Sequence, residues 1–200
     1  MRVIKGIIMA IGVIGILVML ALATGLYLYS LSPSILGRAV PVAVTADAAQ
    51  SFDDKLESAD TQIKAAVAAR ENRELSLVVT ESEVNSKLVQ MLAEGQLPLK
   101  QTLINFGDGY FLIYAVLDAP VIDAKTGAIG RIEIADGKPK VVIDEFNLGK
   151  LPLTESARAR VEQLANIIVS LETADIPVNV TSVQIQDQQL TITVTTELGD

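Results

Sequence analysis

The chain contains 200 residues, with no cysteine, no histidine and a formal net charge of −8 at pH 7. Without cysteine there is no disulfide and no thiolate nucleophile, and without histidine the commonest general base and metal ligand is missing. We therefore expect no metal, no cofactor and no enzymatic activity. The acidic balance also argues against nucleic acid as a partner.

Residues 6–31 form an apolar run without a charged side chain. As a helix rising about 1.5 Å per residue, this run can cross a hydrocarbon core of about 30 Å, so the lipid bilayer is the first expected partner. Arg2 and Lys5 precede the run, and the positive-inside rule places them in the cytoplasm and the rest of the chain outside. The apolar region of a cleaved signal peptide is shorter, about 7–15 residues, so we expect an uncleaved, single-pass anchor in the cell membrane.

Residues 32–50 contain two prolines and many small residues, without helical or strand periodicity. Such a segment predicts a flexible tether, followed by a folded extracytoplasmic domain over residues 51–200. Ser51 is expected to cap a first helix that ends near Arg70, because two aspartates follow it in the first turn and apolar residues recur on one face.

The strongest local signal in this domain is a strand over residues 74–80 that leads directly into a second helix. Thr80 and Glu83 have the spacing of a capping box, in which each side chain accepts a hydrogen bond from the other residue's backbone N–H. Gly95 is expected to end this helix at its C-terminus. The pattern therefore predicts both boundaries of the helix.

Apolar strand patterns separated by turns, two of which contain Asp-Gly, predict three further strand pairs. The strands cover residues 99–106, 110–117, 128–135, 140–148, 178–186 and 190–196. A third helix is expected from Thr154, before the last pair. The fold class is therefore α+β: a twisted antiparallel sheet of about six strands packed on helices.

The strand over residues 110–117 is apolar on both faces, whereas the last two strands alternate apolar and polar residues. Its second face needs a cover, which is either another layer of protein, a partner, or an apolar ligand. The simplest cover is protein, from the long helix and residues 118–127. For a ligand, the expected lining of an apolar groove is Phe106, Tyr110, Leu112, Tyr114, Val116, Ile143 and Phe146.

The carboxylates do not form a recognisable catalytic pair. Glu81 and Glu83 lie in the predicted capping box, which accounts for them structurally. Asp144 and Glu145 are neighbours in a strand, so their side chains point to opposite faces. We therefore expect no catalytic residue among them.

Two short segments, joined by the Asp-Gly hairpins between them, carry a family resemblance. They are Leu-Val-Val-Thr-Glu-Ser-Glu-Val-Asn-Ser-Lys-Leu at residues 77–88 and Leu-Gly-Lys-Leu-Pro-Leu at residues 148–153. With the N-terminal anchor, they resemble the LmeA-like phospholipid-binding and YpmS-like families of small membrane-anchored bacterial envelope proteins. The resemblance implies a twisted sheet against a long helix, similar to tubular lipid-binding domains, with a groove for acyl chains. It assigns architectural roles to Thr80, Glu83, Asn85, Leu88, Gly149, Leu151 and Pro152.

The sequence and the resemblance together predict a membrane-anchored domain that binds a phospholipid or another apolar ligand in a groove between sheet and helices. The alternative is a structural or interaction module that docks another envelope protein, without a ligand or catalysis. An internal apolar groove favours the first function, whereas a filled core with an exposed apolar patch favours the second.

Overall fold

A computed structural model describes most of the predicted domain. The described residues are 33–97, 99–117, 125–149, 151–152, 155–156, 158–159, 161–163, 165–166 and 178–196. The predicted membrane anchor over residues 6–31 lies outside them, as do Thr154 and most of the segment 118–127. Within the described part of the chain, no helix has the length and apolar character needed to span a bilayer.

The described residues form an α+β fold, as expected from the sequence. A short 3-10 helix covers Ser34–Arg38, and the two fully described α-helices are α1 (Ala46–Ala69) and α2 (Glu81–Ala93). The strands are β1 (Glu74–Thr80), β2 (Leu99–Phe106), β3 (Phe111–Leu117), β4 (Lys125–Ala135), β5 (Lys138–Leu148), β6 (Leu151–Pro152), β7 (Val178–Gln186) and β8 (Gln189–Thr196). Helical residues between 155 and 166 belong to the predicted third helix.

The strands form two antiparallel sheets where the sequence predicted a single sheet of about six strands. In the described residues, one sheet has the order β1-β8-β7 and the other has the order β2-β3-β4-β5-β6. The smaller sheet exists because β8 pairs with β1, from Glu74 opposite Thr195 to Thr80 opposite Gln189. Apolar periodicity identifies strands but carries no information on a pairing between segments so distant in sequence.

Both sheets and the helices share one apolar core. Its largest fully buried side chains include Leu56 of α1, Ile104 and Phe111 of the five-stranded sheet, and Leu190 and Ile192 of β8. Buried apolar surface of this kind contributes about 25 cal/mol per Å² to stability. The space between the sheets and the helices is therefore filled by side chains.

The predicted helix start at Ser51 was wrong, because α1 begins five residues earlier. Thr45 is the N-cap, and its hydroxyl accepts a hydrogen bond from the backbone N–H of Ala48 at 3.1 Å. Ser51 lies inside the helix and donates instead to Glu83, with an oxygen–oxygen distance of 2.6 Å. The capping box of α2 is confirmed: Glu83 N–H donates to the Thr80 hydroxyl, and Thr80 N–H to the Glu83 carboxylate.

Residues 33–45, predicted as part of a flexible tether, lie against the five-stranded sheet and the first turns of α2; we call this segment the strap. Ile35 is only 1% exposed and packs on Leu112 and Ile129. Gly127 makes room for it, because a Cβ atom on Gly127 would lie 3.2 Å from the Ile35 Cβ. The strap is thus part of the folded domain.

The outer edges of the five-stranded sheet are covered by two helices that use the same pair of residues. On α2, Asn85 binds both backbone groups of Ile104, and Glu81 accepts the N–H of Phe106. On the third helix, Asn166 binds both backbone groups of Val141, and Glu162 accepts the N–H two residues further along β5. A Glu and an Asn four residues apart lie on the same helix face. Each pair therefore hydrogen-bonds backbone groups of the sheet that no neighbouring strand pairs with.

The resemblance assigned architectural roles, and several of these residues have them. Asn85 fixes the edge of β2, and Leu88 is buried in the core. Gly149 has a positive φ of 56°, which glycine adopts without steric cost, and turns the chain between β5 and β6. Leu151 and Pro152 then pair with the end of β5.

Candidate functional site

The expected groove residues do not line one common surface. Phe106, Ile143 and Phe146 point into the main core beneath the helices and are buried there. Leu112 points to the opposite face of β3, where Ile35 and Ile129 cover it. Successive side chains of a strand point to opposite faces of the sheet, so the expected groove residues are divided between the two faces.

Both faces of β3 are buried, as its apolar sequence predicts. Tyr114 and Val116 are buried and share the parity of Leu112, while Phe111 and Ile113 contribute to the main core. Burial raises the pKa of the Tyr114 phenol above its usual value, since desolvation disfavours the phenolate. Tyr114 is therefore a neutral phenol at physiological pH.

Tyr110 differs from the other six residues because it is 42% exposed. Its ring lies over Gly107, where it occupies the space that a Cβ atom would need. It stands beside an open cleft of about 480 Å³. The described residues lining this cleft are Arg38, Val40, Pro41, Val42, Ala43, Thr80, Glu81, Ser82, Asn105, Phe106, Gly107, Tyr110, Leu112, Asp187, Gln188 and Gln189.

The cleft lies where the ends of the two sheets meet. The turn between β2 and β3 contacts the smaller sheet, because Gly109 N–H donates to the Ile185 carbonyl at 2.8 Å. At the start of α2, Glu81 N–H donates to the Gln188 carbonyl at 3.0 Å. The strap forms the remaining wall. Phe106, Tyr110 and Leu112 are the three expected groove residues that this geometry brings together.

Polar side chains hold the strap wall in place. Asn105 forms two hydrogen bonds with the backbone of Val40: Val40 N–H donates to Oδ1, and Nδ2 donates to the Val40 carbonyl, both at 2.9 Å. Ser82 donates to the Ala43 carbonyl, and Ser86 accepts the N–H of Thr45. Sequence analysis missed Asn105, although an asparagine near the end of an apolar strand was a usable signal.

The floor of the cleft contains a buried carboxylate. Glu81 is 7% exposed, and it accepts hydrogen bonds from Phe106 N–H and from the Asn105 amide. At the rim, Arg38 pairs with Glu145 at 3.3 Å, and Asp187 adds a second carboxylate to the lining. Since the carboxylates outnumber the single cation, the cleft does not favour an anionic group on charge alone.

A second, shallower depression lies on α1. Its lining residues are Asp47, Gln50, Ser51, Asp54, Lys55 and Ser58. Next to it, the Glu83 carboxylate accepts from Ser51, from Thr80 and from Lys55, whose ion pair with Glu83 measures 2.7 Å. Burial by itself would raise the pKa of Glu83, but hydrogen bonds from these three partners outweigh it and lower the pKa.

This polar cluster fastens α1 to α2 and lacks the electrostatics of a nucleophile site. A lowered pKa makes Glu83, the acceptor of the Ser51 hydroxyl, a weak base, and Lys55 is engaged in an ion pair with the same carboxylate. Among the residues that the structure describes, no three carboxylates are close enough together to hold a metal ion.

Comparison with models of known protein families and with curated proteins found no match for this chain. The resemblance to the phospholipid-binding envelope families therefore stays an expectation based on its short motifs. Any function must be argued from the cleft, the strap and the apolar run before them.

Proposed function

We propose that this chain is a membrane-anchored domain outside the cytoplasm that binds a phospholipid or another apolar ligand and performs no catalysis. In this proposal, residues 6–31 form the single-pass anchor, with the N-terminus in the cytoplasm. The observation that carries the proposal is the cleft of about 480 Å³ that three of the expected ligand residues line. Its size falls within the roughly 300–1,000 Å³ of typical ligand pockets.

The chemistry of the cleft suits a ligand with an apolar part. Val40, Pro41 and Val42 contribute aliphatic surface from the strap, and the exposed Tyr110 ring contributes aromatic surface. Burial of acyl carbons against these walls provides affinity at about 25 cal/mol per Å². The amide and carboxylate groups of the cleft provide orientation for hydroxyl or amine groups of the ligand.

The ligand position differs from the groove between sheet and helices that the sequence suggested. That space is occupied by the main core, to which Ile143 and Phe146 belong. We therefore assign the main ligand contact to Tyr110, which is exposed; Phe106 and Leu112 line the cleft with little exposed surface, and Ile143 and Phe146 are core residues.

Native mass spectrometry of the full chain, released from detergent micelles, tests this proposal. We expect one co-purified lipid per chain and a bound fraction about tenfold lower in Tyr110→Asp, because a charge displaces apolar contact worth about 1.4 kcal/mol. Val89→Asp is the matched control, since Val89 is a similarly exposed apolar residue on α2. No lipid above the micelle background, or equal binding by both variants, would overturn the proposal.

A second candidate is an interaction module that docks another envelope protein. The filled core favours it, together with the exposed apolar side chains of Val40 and Tyr110, which both line the cleft. The same measurement separates the two functions: a lipid-free chain that forms a defined complex through this surface supports the interaction module.

A further inference from the structure

The strap is fixed to the domain very soon after the predicted anchor ends. The buried Ile35 lies four positions after Leu31, the last residue of the apolar run. An extended chain spans at most about 3.6 Å per residue, so these positions are no more than about 14 Å apart. The sheet face under Ile35 is therefore held close to the point where the anchor leaves the bilayer.

The composition of the strap suits a lipid surface. Residues 33–45 contain one cation, Arg38, and no acidic residue, in a chain with a net charge of −8. Val40 is 62% exposed and Val44 is 45% exposed. Since Arg38 is paired with Glu145, an acidic protein thus presents a largely neutral, apolar surface at this place, which suits a membrane interface.

The rest of the domain extends away from the cleft. Thr80 at the end of β1 lines the cleft, so β1 leads back from it to Glu74. α1 begins beside Ser86 and continues over 24 residues, about 36 Å, to Ala69. Both elements reach the same far end, where the Thr196 hydroxyl joins Glu71 and Arg73.

We infer that the strap side of the cleft rests in the headgroup layer of the membrane, with Val40, Val44 and Tyr110 in contact with lipid. The inference rests on the membrane anchor of the proposed function. It adds that the cleft opens towards the bilayer, so that a lipid reaches it without crossing water. The far end of α1 points away from the membrane.

Site-directed spin labelling tests this orientation in the full chain, because the chain has no native cysteine. Single cysteines are introduced as Gly37→Cys, Val40→Cys and Ala68→Cys, and the labelled chain is placed in phosphatidylcholine nanodiscs. A Cβ at Gly37 has no heavy atom within 4 Å, and Val40 and Ala68 are exposed. These labels therefore leave the core intact.

Relaxation by a nickel-chelating lipid is expected to be severalfold stronger at positions 37 and 40 than at position 68. Equal relaxation at all three positions, or stronger relaxation at 68, would overturn the inference. Alkaline carbonate extraction of membranes tests the anchor separately. A chain that is released into the supernatant contradicts both the anchor and the inference, whereas a retained chain with equal relaxation contradicts only the orientation.

Discussion

Glu83 joins three structural elements through one carboxylate. It completes the capping box with Thr80, accepts from Ser51 on α1, and pairs with Lys55. Its side chain is only 8% exposed, so its hydrogen bonds are protected from water. A carboxylate in this position stabilises the fold only while it is ionised.

This leads to a pH-dependent prediction for Glu83→Gln. The folded state lowers the pKa of Glu83 below its usual value of 4.5, so its contribution is present above that pH and is lost as the pH falls through the folded-state pKa. We expect the variant to be less stable than the parent by about 1–3 kcal/mol at neutral pH, with a smaller difference in acid. Urea denaturation of the full chain at several pH values measures this.

The exposed Glu57→Gln variant on α1 is the control, and it should follow the parent at every pH. If the difference between Glu83→Gln and the parent stays constant into strong acid, the ionised hydrogen bonds of Glu83 are not its cause.

Asn105 fixes the strap at Val40, and within the strap its removal should loosen mainly that position. In Asn105→Ala, the Val40 N–H loses its acceptor, with a cost of about 1 kcal/mol for the lost hydrogen bond. Hydrogen exchange at Val40 should then be faster by about fivefold. Thr45 is the internal control, because Ser86 accepts its N–H independently. Equal acceleration at both residues would mean that the strap is not held locally.

At the scale of elements, substitution of the two asparagines that cover the edges of the larger sheet should destabilise the fold. Asn85→Leu and Asn166→Leu each leave a backbone N–H and a carbonyl of an edge strand without their partner. Each change should cost about 2–4 kcal/mol in chemical denaturation, because unsatisfied buried polar groups lose their solvation. Gln62→Leu, on the exposed face of α1, should change stability little. Small effects of both Asn variants would show that water replaces these contacts.

Elements whose boundaries are set locally could be predicted from the sequence, and those set by distant contacts could not. The capping box of α2 lies within four residues, so its spacing was sufficient. The start of α1 was predicted at Ser51 instead of Thr45, because the actual start depends on contacts with Ser86 and Glu83 more than 30 residues away. Strand pairing between β1 and β8 was unpredictable for the same reason.

In the candidate site too, features set by local sequence could be predicted and features set by distant contacts could not. The double-sided burial of β3 follows from its own sequence and was predicted. The cleft arises where the turns after β2 and β7 meet the strap, and no local pattern predicts that meeting. Sequence reasoning therefore identified Tyr110 and Leu112 but could not place Val40 or Asn105 beside them.

At the scale of the whole molecule, the buried apolar side chains of the described residues fall into two clusters of very different size. The main core joins both sheets and the helices, whereas Ile35, Leu112 and Ile129 form a small cluster on the opposite face of the larger sheet. A small cluster can open without the main core, because local unfolding costs only the contacts that it breaks. The strap is therefore the part of the described domain that can unfold locally.

Ile35→Ala should release the strap and leave the domain folded. Truncation of a buried isoleucine costs about 2–4 kcal/mol. Here the lost free energy is mainly that of the packing of the strap on Leu112 and Ile129. Arg38 is the only trypsin site in residues 33–45, so faster cleavage there reports the release. The denaturation midpoint of the main core should change much less than the cleavage rate. Leu36→Ala, at the half-buried neighbouring residue, is the control. If Ile35→Ala instead unfolds the whole domain, the strap and the core form one cooperative unit.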